Sequence, residues 1–184
     1  MLDFTFKTRS YFTGIVTIAM WSLLLWNHFH GGIPSHHILA RKDLPEISNA
    51  WGGILLPLLT WFLLYRIQKR TEKNDKTKIL YAFLSALAFG ILLATSFTLG
   101  FQIEQYMLMS VFPLALLLPI YRSEYLLGFV LGMTFTFGTV LPTLIGSILV
   151  LISAVLYLFV RRGILFIFRK LIKILRGSIF PPIF

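Results

Sequence analysis

RIQKRTEKNDKTK (residues 66–78) is a basic island with six lysines and arginines in 13 positions. Long apolar runs flank it, approximately 48–66 before and 79–99 after. Each run is about 20 residues, the length a helix needs to cross a hydrocarbon core of about 30 Å. The island therefore reads as a connection on one side of a membrane, with a spanning helix leading in and another leading out.

The pattern continues in both directions. Further candidate spans cover approximately 11–29, 105–121, 124–141 and 143–160. The last two form one apolar stretch, divided near Gly138 and Pro142, where a tight hairpin is expected. Pro113 and Pro119 are expected to kink the fourth span. Composition agrees: 57% of residues are hydrophobic, 13% are charged and mean hydropathy is +0.81. A soluble domain carries about 25% charged residues. The expected fold class is all-α, an integral membrane bundle of six transmembrane helices over residues 1–160. Residues 161–184 are expected to add a basic amphipathic helix lying on the inner surface, with Arg162, Arg169, Lys173 and Arg176 near helical spacing. The run from Tyr11 to Trp26 is long and no small-x-small cleavage site follows it, so the first span is expected to be retained.

Charge placement sets the expected orientation. Six spans place Lys7, Arg9, the 66–78 island, Arg122 and the basic tail on one side. Together these hold fifteen of the 17 basic residues, and only Arg41 and Lys42 fall opposite. Positive charge marks the cytoplasmic side, so both termini are expected there, in a plasma membrane of the bacterial inner-membrane type. Trp21, Trp26 and Trp51 would lie near the outer interface, and Tyr65 and Tyr81 near the inner one. The net charge of +10 is then a topology signal with affinity for anionic inner-leaflet lipids. No nucleic-acid motif accompanies it, and no nucleic-acid partner is expected. The chain has no cysteine, which excludes disulfides and thiolate chemistry.

No charged side chain is expected inside a span, which argues against a proton-driven carrier. Hydroxyls such as Ser85, Thr98 and Thr134 are expected to bond their own helix backbone. Gly128 and Gly132 form a small-xxx-small pair, suited to packing within the bundle or to a homodimer seam.

The stretch NHFHGGIPSHH (27–37) holds all four histidines of the chain. It falls on the expected outer side. Imidazole binds zinc, iron and copper, and a catalytic zinc needs three protein ligands and an open position. His28 and His30 would point about 200° apart on a helix, so they can share an ion only if the helix ends there, which Gly31 and Gly32 allow. The expected ligands are His28, His30 and His36, with zinc favoured over iron or copper. Glu104, Glu46 and His37 are the candidate acid–base groups. Arg41, Lys42 and Asn27 are the candidate substrate-binding groups, for an anionic lipid or lipid-linked molecule. The structural alternative is specific too. Asp43-Leu44-Pro45-Glu46 fits a capping box opening the second span, and Ser35 fits the cap of a short helix over 36–41. No nucleophile elbow of the G-x-S-x-G type is present. Two functions follow as expectations: a metal-dependent enzyme on a lipid-linked substrate, or a non-catalytic binding, assembly or metal-delivery protein. A small-solute carrier working as an oligomer is third.

Overall fold

The computed structural model describes residues 5–33, 35–37, 46–71, 76–101 and 103–179; for 36–37, 46–47, 171 and 173–179 it describes the backbone alone. The described residues form seven α-helices and one short ribbon. These are α1 (Phe6–Phe29), β1 (Ser35–His37), β2 (Glu46–Ser48), α2 (Gly52–Thr71), α3 (Lys76–Leu99), α4 (Glu104–Leu117), α5 (Ser123–Phe137), α6 (Val140–Val155) and α7 (Arg161–Ile179). A 3-10 turn, Asn49–Trp51, leads into α2, and a π-helical turn, Leu156–Val160, joins α6 to α7 without a break.

Local chemistry sets the boundaries. Thr5 caps α1, its Oγ1 accepting from the Thr8 amide at 3.4 Å. At the other end, the Asn27 carbonyl accepts from the amides of His30 and Gly32. Gly31 and Gly32 hold φ of +118° and +94°, a region that costs glycine little. The helix therefore stops at the histidines, as the glycines imply. Beyond it the capping expectations fail. Ser35 opens a strand rather than a helix, and β1 pairs antiparallel with β2 in the register Ser35↔Ser48, His36↔Ile47 and His37↔Glu46. Glu46 is thus a strand residue, and Ser48 caps the turn into α2 by accepting from the Ala50 amide at 3.2 Å. Asp43, Arg41 and Lys42 lie outside the described residues.

Four helices are long and apolar enough to cross a membrane: Phe6–Phe29, Asn49–Thr71, Lys76–Leu99 and Val140–Lys170. The other two expected spans are shorter. At 1.5 Å per residue α4 is about 21 Å long and α5 about 22 Å, against about 30 Å of hydrocarbon. Both are cut by specific residues. Pro119 forces Leu118 into extended backbone (φ −111°, ψ 145°), so α4 ends there rather than kinking through. Gly138, at φ +68°, ends α5, and α6 starts two residues later with Pro142 in its first turn. Of the six expected spans, of which the fourth is short by sequence, four are full-length helices and two are short apolar ones.

The exterior suits lipid. Phe135 is 80% exposed and Phe159 72%, and Trp21, Trp26, Trp51 and Tyr81 all lie on the surface. Apolar exposure on this scale is foreign to soluble monomers. The short α5 runs through the middle of the bundle, against α2, α3 and α6, and Leu127, Val130 and Glu124 are nearly sealed. In lipid, helices gain little from hiding apolar surface, so close packing must hold them together. Three glycines provide it. A Cβ on Gly132 would stand 2.6 Å from the Leu87 carbonyl oxygen, and one on Gly90 would stand 2.7 Å from that of Phe129. A Cβ on Gly128 would overlap the Phe83 carbonyl. The Gly128/Gly132 pair, open in sequence to a second copy of the chain, is occupied by α3.

The hydroxyls of Ser85, Thr98 and Thr134 bond carbonyls three or four residues back in their own helices. Thr139, fully buried, instead donates to the Met20 sulfur at 3.8 Å. With Gly138 against Asn49, this ties the α5–α6 hairpin to the start of α2 and the C-terminal half of α1.

Candidate functional site

The histidine connection and the start of α4 share one end of the bundle. The α1 terminus lies beside the start of α2, where Gly53 faces Trp21 and Leu24. Asn49 meets Gly138, the Phe137 ring lies 4.8 Å from Phe97, and Ser96 donates to Glu104 at 3.4 Å. This end also carries the small ribbon.

Those of the expected site residues whose side chains are described have local partners. The His30 ring stacks on Trp26 at 3.8 Å, and its Nδ1 lies 3.0 Å from the Trp26 carbonyl oxygen. A carbonyl only accepts, so Nδ1 is the donor in this contact. His28, one residue inside the helix end, sets its ring edge-on to Phe29 at 5.3 Å. The two rings thus have different neighbours. Asn27 acts through its backbone carbonyl, as the stop of α1. Glu104 is the first residue of α4, where a carboxylate favours the helix dipole, and it accepts from Ser96. The backbone register sets His37 opposite Glu46, and the roles expected of these two and of His36 rest on side chains outside the description. Among the described residues no three His, Asp or Glu side chains come together as a metal site.

The opposite end holds what the sequence reading passed over. Glu124, in the first turn of α5, is 2% exposed and forms an ion pair with Arg70 from the last turn of α2. Glu124 is the first residue of the expected span 124–141, so the expectation of uncharged spans fails at its end. Its signal was available: it is the one acid beside Arg122 on a side otherwise dominated by lysine and arginine. Arg9 of α1 lies over Trp61 at 4.0 Å and near Tyr65. Arg9, Gln68 and Glu124 line a cavity of about 110 Å³ between α1, α2, α3 and α5.

A larger cleft, about 200 Å³, opens between α3, α4, α5 and α6. Its walls are Ala86, Phe89, Val111, Leu114, Phe129 and Val150. Pro119 ends α4 early, which shortens one wall of the cleft, while Gly146 lets Leu126 and Phe129 of α5 pack close against α6. Leu118, Ile120 and Tyr125 line the part nearest the basic end. Beside them Tyr121 meets Tyr157 of the π turn at 5.6 Å, and Arg161 lies over Tyr157 at 4.5 Å. Turns of this kind are rare within helices and recur at functional sites.

None of the family models, curated proteins or solved structures compared with this chain matches it. The class therefore rests on the architecture: a helical protein whose apolar helices fit a multi-pass membrane protein.

Proposed function

We propose that this chain crosses a membrane six times, with both termini on the basic, cytoplasmic side, and that it binds a lipid in the cleft between α3, α4, α5 and α6. The cleft is the observation that carries the reading. An apolar cavity of 150 Å³ stays dry and accepts apolar guests, and this one, at about 200 Å³, is larger. In a bilayer the surrounding solvent is acyl chain, which matches the cleft's chemistry. The polar lining is sparse, since Ser85 donates to its own helix and Tyr125 is the other hydroxyl. Such a lining binds a chain without transforming it, so a binding role is favoured over the metal-dependent enzyme.

Two measurements test this reading. The first addresses topology, and the lack of native cysteine makes it clean. A lone Ser35→Cys should react with a membrane-impermeant maleimide from outside intact cells. Arg122→Cys should react only after permeabilisation. Labelling of Arg122→Cys from outside would mean that α4 and α5 do not cross. The second addresses the cleft. Protein purified in mild detergent should retain about one lipid per chain by native mass spectrometry. Val150→Trp should lose most of it while keeping its melting temperature within a few degrees, since the indole fills space rather than displacing a neighbour. Equal lipid retention in the variant would place the lipid elsewhere.

A further inference from the structure

Resting on the lipid-binding reading above, we infer that the cleft takes an anionic phospholipid of the inner leaflet, its phosphate held at the mouth by Arg122 and Arg161. The mouth is built from two parts of the chain. Tyr121 and Arg122 come from the connection before α5, and Tyr157 and Arg161 from the π turn and its exit. The Tyr121–Tyr157 and Tyr157–Arg161 ring contacts join them. Tyr125 lines the cleft and lies within electrostatic reach of both Arg122 and Tyr157. One surface thus runs from apolar wall through phenol rings to guanidinium groups, the order of an acyl chain, its ester region and its phosphate.

Charge complementarity selects the headgroup. Glu124, the acid closest in sequence to the mouth, is buried and committed to Arg70. Among the described residues neither Arg122 nor Arg161 has a carboxylate within ion-pair distance. Two guanidinium groups without a carboxylate partner among the described residues attract phosphate at a bilayer surface, and arginine can meet it with two parallel donors. The inner leaflet, where the topology proposed above puts this mouth, is the leaflet rich in anionic lipid. A zwitterionic headgroup brings the same phosphate together with a cation of its own, so it offsets less of the positive charge at the mouth than an anionic one.

Native mass spectrometry of the full chain with equimolar phosphatidylglycerol and phosphatidylcholine of identical acyl chains tests the assignment. Wild type should retain phosphatidylglycerol about tenfold over phosphatidylcholine. The R122Q/R161Q double variant should retain as many lipids with the preference gone, and R122K/R161K should keep most of it. Wild type holding one lipid with no headgroup preference would overturn the assignment and leave the lipid-binding reading standing. An undiminished preference in R122Q/R161Q would also overturn it. Wild type holding no lipid would overturn both.

Discussion

Gly128→Leu is expected to abolish the folded protein. The Cβ would overlap the Phe83 carbonyl oxygen and stand 2.9 Å from the Leu87 amide nitrogen, both backbone atoms of α3. No rotamer change relieves a clash with backbone, so α3 and α5 must separate. Overpacking a tight core costs about 1–3 kcal/mol when side chains can give way. Here the seam itself would open, and the cost should exceed that range. Gly163→Leu is the matched control, because a Cβ there meets nothing within 4 Å. Size-exclusion of detergent extracts should show a monodisperse peak for Gly163→Leu and aggregate or no protein for Gly128→Leu. Equal yields and melting curves for the two variants would show that α3 and α5 do not touch along this line.

Glu124→Ala should be the most damaging loss of a polar group. Removing one partner of a buried ion pair strands the other charge, at about 3–5 kcal/mol. Arg70 is 26% exposed, so part of its charge can turn to water, and the lower part of that range is expected. Replacing both partners by apolar residues of similar volume, Arg70→Met with Glu124→Leu, should recover most of the loss. Reversible unfolding in mixed micelles gives the comparison, with half-exposed Glu104→Ala as a mild control. A double variant no better than Glu124→Ala would mean that the pair is not what joins α2 to α5.

Much of this architecture was legible in the sequence because membrane helices obey strong constraints. Apolar runs of span length and the one-sided lysines and arginines located α1, α2, α3 and α6. The fourth helix is shorter than its apolar run, because counting apolar residues ignores where the backbone must turn. The break at Gly138 is legible as a hairpin, but Leu118 is apolar enough to extend a span on paper and yet precedes a proline and takes extended backbone. The capping box at Asp43–Glu46 had the right residues in the wrong place, since strand pairing with His37 claims Glu46. For the two described histidine rings, the sequence did not show their neighbours. His30 is occupied by Trp26, four residues earlier, a contact the helical period allows but does not demand. The cleft was illegible for another reason. It lies among residues of four separate helices, beside the early end of α4, and no local pattern encodes where four helices meet.

The central position of α5 has a consequence for biogenesis. A 15-residue helix that begins with a carboxylate is a poor passenger to release into lipid alone. Its acid finds a counter-ion only on a helix made more than fifty residues earlier, and its last cover arrives with α6. The ribosome must therefore finish the closing helix before the middle one has a stable home, and the earlier segments must wait as a partly assembled cradle. A nascent chain stalled before residue 140 should accordingly remain prey to quality-control proteases, and one stalled beyond the π turn should escape them.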